Sequence, residues 1–170
     1  MKKLILNALL VVSVVGVGLA TTGRRGVSKV GAQKHEAVAS LEHRSAANPG
    51  DATAALQLMR HYVEHGESGM ALSVADRTPD VLATPPGKDL VARALFTGGR
   101  ASEALTMTRL ALQACEHSPC DAGLVARATR REELLTGLVE VGVEDADKAP
   151  ELTELTYRRT LRTVRVASLQ

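Results

Sequence analysis

Two short strings in this chain carry residue types that can do chemistry. The first is His61-Tyr62-Val63-Glu64-His65. Two histidines four apart on one helix can reach a common zinc ion, with the intervening glutamate available as a base. However, Tyr62 and Val63 fall on the apolar stripe of their segment and Gly66 follows at once. The string therefore reads best as the solvated end of a helix, and no metal ligand is assigned to it.

The second string is Cys115-Glu116-His117-Ser118-Pro119-Cys120. Two thiols and one imidazole are a ligand short of a structural zinc site, and the haem-attachment order C-x-x-C-H is absent. In an oxidising compartment the pair is expected as a disulfide. It would close a short loop between two helices, worth about 2 kcal/mol in the chain-entropy account. Free thiols, a redox couple and a metal site are the alternatives. No serine stands in a G-x-S-x-G elbow, and no phosphate-cradling glycine loop follows a strand pattern. Gly98-Gly99 reads as a turn between helices, so neither a catalytic residue nor a cofactor is expected.

Helices must position these residues. The chain has 170 residues, with one Phe, two Tyr and no Trp, so its core must come from Leu, Val and Ala. Side chains this small let helices approach closely. The length suits one domain of about five to seven helices.

The first residues, MKKLILNALLVVSVVGVGLATTGRRG, place Lys2 and Lys3 before an apolar run over residues 4–20. Residues 1–23 are expected to be a signal peptide or an N-terminal membrane anchor, cleaved after Gly18-Leu19-Ala20 or retained. Residues 24–33 would then be a flexible tether. The protein is accordingly expected to be exported, and periplasmic, inner-membrane-anchored or secreted. Removing Lys2 and Lys3 leaves 19 basic residues against 19 acidic ones. Such a balance lacks the clustered basic excess that nucleic acid requires, and no nucleic-acid partner is expected. Arg158, Arg159, Arg162 and Arg165 follow Glu151 and Glu154 in the last helix. That order matches the helix dipole, with contact to an anionic surface as the lesser alternative.

Hydrophobic spacing predicts a helix over 34–47, with Val38 and Leu41 on one side, stopped by Asn48-Pro49-Gly50. Asp51 caps a helix through Tyr62 whose stripe is Ala55, Leu58, Met59, Tyr62 and Val63. After Gly66 a shorter helix from Ser68 to Arg77 buries Ala71, Leu72 and Ala75, and the long loop TPDVLATPPGK follows. Val91, Ala94 and Leu95 form the next apolar side, Gly98-Gly99 turn the chain, and a stripe runs from Ala104 and Leu105 to Cys115. Beyond Cys120, Asp121 caps a helix to about Val141, and the acidic linker GVEDADKA leads to Pro150. Pro150 opens the last helix, with Leu152, Leu155, Leu161 and Val164 available for burial.

The segments 55–75 and 91–112 are alike in design, and their turn glycines Gly66 and Gly99 are 33 residues apart. Tyr62, Gly66 and Ala71-Leu72, then Gly99 and Ala104-Leu105, with Pro49 ending a preceding half repeat, resemble the tetratricopeptide (TPR) repeat family over residues 34–115. The resemblance implies an all-α fold, a short stack of antiparallel helix hairpins, with residues 116–170 as a C-terminal helical cap. In that family the first helix of each repeat lines a groove. The matching positions imply Arg60, Glu64, Asp89, Arg93 and Phe96 as partner-binding residues. The expected function is a non-enzymatic envelope scaffold or adaptor for a peptide or partner protein, held to the membrane if the first segment is uncleaved. Its rivals are a small periplasmic metal or redox protein using His61, His65 or Cys115 and Cys120, and a structural subunit of an envelope complex.

Overall fold

The computed structural model describes the backbone of residues 29–167 and the side chains of residues 38–160. The expected signal or anchor segment lies outside the described residues. Helix α1 spans Lys29–Ala47, α2 Ala52–Glu64, α3 Ser68–Arg77, α4 Pro85–Thr97, α5 Ala101–His117, α6 Ala122–Glu140 and α7 Pro150–Ala167, with a 3-10 turn over Pro79–Ala83 between α3 and α4. The fold is all-α, and no strand occurs among the described residues. Residues 1–37 and 38–170 are two separate units. Of the first, only the helical backbone from Lys29 is described, and it begins inside the segment expected to be a tether.

Local chemistry explains where the helices start and stop. Asp51 accepts a hydrogen bond from the Ala54 amide at 2.9 Å, Thr84 from that of Gly87 at 3.2 Å, and Asp121 from that of Leu124 at 3.0 Å. Each side chain satisfies an amide that has no partner within its helix. Helices α2, α4 and α6 all end the same way. Gly66, Gly99 and Gly142 have φ of 74°, 74° and 75°. The amide after each glycine donates to a carbonyl five residues back, Glu67 to Tyr62 at 2.8 Å, Arg100 to Leu95 at 3.0 Å and Val143 to Leu138 at 2.9 Å. This is the Schellman arrangement, in which a left-handed glycine lets the chain reverse.

From α2 onward each helix packs on the next, and α4 also packs on both α2 and α6. Leu58, Met59, Val74, Leu135 and Leu138 are fully buried, and alanines such as Ala71, Ala94 and Ala104 fill the close helix approaches between them. Val38 and Leu41 of α1 pack against this core.

Three stretches differ from the sequence-based expectation. The long loop after α3 is mostly ordered as the 3-10 turn, and α4 starts within it at Pro85. The turn tucks Val81 into the core, so close to α4 that a Cβ on Gly87 would lie 2.0 Å from the Val81 carbonyl oxygen. Leu152 and Leu155, expected inside, are 46% and 63% exposed. Thr156 is buried in their place. A Cβ on Gly137 of α6 would sit 2.6 Å from the Thr156 methyl group, a separation that a leucine could not fit. The hydroxyl of Thr156 donates to the Leu152 carbonyl at 2.8 Å, so its burial leaves no polar atom unmatched. The third difference is the acidic linker, which docks. Val143 is buried, the Glu144 carbonyl accepts from the Ala101 amide at 3.1 Å, and its carboxylate accepts from the Ser102 amide at 3.0 Å and from the Ser102 hydroxyl. The carboxylate thus occupies the positive end of α5. Those bonds hold its pKa below the usual carboxylate range, the Ser102 hydroxyl first.

Candidate functional site

The central helix α4 carries three of the five groove candidates, Asp89, Arg93 and Phe96, at i, i+4 and i+7 and hence on one face. They divide by depth. Asp89 is buried, and its Oδ1 accepts from the Arg131 guanidinium of α6 at 2.7 Å. Arg93 is half-buried. Phe96 is half-buried too, packing against the core on one side. On its other side it lines a cavity of about 420 Å³ with Arg130, Arg131, Glu133 and Leu134 of α6 and Tyr157 and Thr160 of α7. Arg60 and Glu64 are exposed on α2 and do not line this cavity.

The cavity collects most of the aromatic surface that the protein has. Of one Phe and two Tyr, Tyr62 is in the core, its hydroxyl donating to Glu42 at 2.5 Å. Burial, with that bond second, pushes its pKa up to about 12. The other two, Phe96 and Tyr157, both line the cavity, and Tyr157 is 48% exposed. Leu134 completes an apolar floor. Among the described residues neither Arg93 nor Arg130 has an acidic partner, whereas the Arg131 guanidinium is held by Asp89. In the lining the charge of Arg130 is matched by the carboxylate of Glu133 and that of Arg131 by Asp89, so the arrangement suits an apolar or aromatic side chain. It offers no nucleophile paired with a base. Sequence reasoning did not single out Arg130, Arg131, Leu134 or Tyr157 as site residues. Tyr157, an aromatic in a chain almost without them, was the available signal.

The two strings with chemical potential are placed as follows. The rings of His61 and His65 lie 4.0 Å apart between centroids, and His65 Nδ1 is 2.8 Å from the His61 carbonyl oxygen. Among the described residues no three His, Cys, Asp or Glu side chains gather in a way that could hold a metal ion. Cys115 and Cys120 form a disulfide with Cα atoms 5.4 Å apart. It ties the last turn of α5 to the residue before the Asp121 cap of α6, and so fixes where α6, with Arg131 and Leu134, begins. A second cavity of about 310 Å³ lies between α6 and α7, lined by Glu132, Glu133, Glu140 and Arg159 among others. No family model matches the chain, no curated protein matches it, and no solved structure matches it.

Proposed function

We propose that this chain is a non-enzymatic scaffold or adaptor of the cell envelope, whose TPR-like stack holds a peptide or partner protein in the cleft between α4, α6 and α7. The helices are then read as antiparallel pairs, α2 with α3, α4 with α5 and α6 with α7. The packing of α4 on α2 and α6 supports that reading, as do the matching glycine ends at Gly66, Gly99 and Gly142.

The observation that carries the binding proposal is the cavity in which Phe96, Leu134 and Tyr157 meet under Arg130. Aromatic side chains in a pocket are the usual anchors of recognition. Asp89 serves from below by holding Arg131 in the wall. Arg60, Glu64 and Arg93 extend the contact surface along α2 and α4. The apolar N-terminal run supports an envelope location, and an oxidising compartment there suits the disulfide.

The test is affinity capture from envelope extracts with C-terminally tagged full-length protein. Phe96→Ala and Tyr157→Ala are each expected to reduce recovery of the partner roughly thirtyfold, the effect of losing about 2 kcal/mol at an anchor. Gln113→Ala on α5 leaves it unchanged. Equal recovery by all four proteins would remove the cleft from the reading.

A further inference from the structure

Among the described residues one flank of the last helix has no helix packed on it, and that flank is self-complementary. Leu152 and Leu155 stand one turn apart and are 46% and 63% exposed, among the most exposed large apolar side chains described. They are on α7, which packs on α6 alone among the described helices, with Thr156 rather than these leucines buried against Gly137. Paired exposed leucines on one helix flank are a typical site of association.

Charge on the same flank says which partner fits. Glu154 and Arg158 bond each other within the helix at 2.6 Å. Among the described residues Glu151 and Arg159 have no ion-pair partner. They sit four residues to either side of Leu155, the acid toward the start of the helix and the base toward its end. A second α7 running antiparallel, with a twofold axis at Leu155, brings Leu155 onto Leu155 and Glu151 alongside Arg159 of the second copy, twice over. Any isologous contact requires such self-complementarity. About this axis the two copies of the helix, each Pro150–Ala167, overlap over residues 150–160, about 16 Å of length.

We propose that the chain self-associates through α7, antiparallel and centred on Leu155. This contact lies apart from the cleft lined by Phe96, so a dimer would present two clefts, and loss of either property leaves the other in place.

The two native cysteines are joined to each other, so a cysteine introduced into the full-length chain is its sole free thiol. Leu155→Cys in intact cells under mild oxidation is expected to give a product of twice the 18.0 kDa chain mass on a non-reducing gel. Thr106→Cys, exposed on α5, stays monomeric. Adding Glu151→Arg to Leu155→Cys lowers the dimer yield about threefold, as expected when an exposed pair turns from attraction to repulsion. Adding Arg159→Glu as well restores it with the signs exchanged. A monomeric Leu155→Cys chain overturns the proposal, as does equal cross-linking from Thr106→Cys. A yield indifferent to Glu151→Arg overturns the antiparallel pairing.

Discussion

Asp89 and Arg131 are 42 residues apart in sequence and 2.7 Å apart in space, with side chains only 7% and 11% exposed. The pair joins α4 to α6, behind the wall of the aromatic cleft. Two charges out of water gain from each other roughly what they lose in hydration, but either one left alone keeps the whole loss. Asp89→Ala or Arg131→Ala is therefore expected to destabilise the protein by about 3 kcal/mol. Replacing both, Asp89→Leu with Arg131→Met, costs much less than the sum of the single changes. Denaturant midpoints of the two singles and the double check this, and additive losses would contradict it.

The Cys115–Cys120 disulfide closes a short loop, with a sequence separation of 5. The chain-entropy relation gives such a loop about 2 kcal/mol. Replacing both cysteines by serine is expected to lower stability by that amount. The loss should be felt first at the start of α6, where Asp121 caps the helix. Amide exchange of residues 124–128 would rise before that of α2 or α3.

Tyr62 supplies a pH dependence whose sign can be worked out. Its folded pKa is raised to about 12 by burial first and by its bond to Glu42 second. In the range between the ordinary tyrosine value of about 10 and that raised value, the unfolded chain loses the phenolic proton before the folded one does. Stability from this group is thus complete below about pH 10 and disappears as pH rises toward 12. Tyr62→Phe is expected to melt lower than the wild type at pH 7, by about 1 kcal/mol for the lost hydrogen bond. The gap should shrink or reverse by pH 11, and a gap constant from pH 7 to 11 would remove Tyr62 as its cause.

Much of the helical layout is legible because its signals are local. Asp51, Gly66, Gly99 and Asp121 do at the helix ends what their types imply, and the span Ser68–Arg77 can be read directly from the pattern. The third glycine turn at Gly142 is not legible, because the chain runs on into an acidic segment rather than an Ala-Leu helix. Only the fold reveals that this segment reaches back to the start of α5, through Glu144 and Ser102. The site divides the same way. Spacing places Asp89, Arg93 and Phe96 on one face, but their depths depend on α6 and α7, which begin only at Ala122 and Pro150. Leu152 and Leu155 mislead a reading based on hydrophobicity, since the contact with α6 is chosen by closeness of fit rather than by apolar area.

That closeness of fit is testable at Gly137 and Thr156. A Cβ at position 137 would lie 2.6 Å from the Thr156 methyl group, and a β-branched side chain in a helix has little rotamer freedom with which to retreat. Alanine ordinarily gains about 1 kcal/mol over glycine inside a helix. Here the overlap outweighs that gain, and Gly137→Ala is expected to destabilise by about 1–2 kcal/mol. Thr156→Ser removes the obstructing methyl, whose burial is worth about 0.8 kcal/mol. The double variant Gly137→Ala, Thr156→Ser should therefore return close to wild-type stability, because the propensity gain and the lost methyl burial nearly cancel. Thermal melts of the two singles and the double decide the matter. A double variant as unstable as the sum of the singles would mean that α7 is not seated on Gly137 by Thr156. Recovery would show that one missing methyl group on α6 sets how closely the last helix approaches, and with it where Tyr157 stands in the cleft.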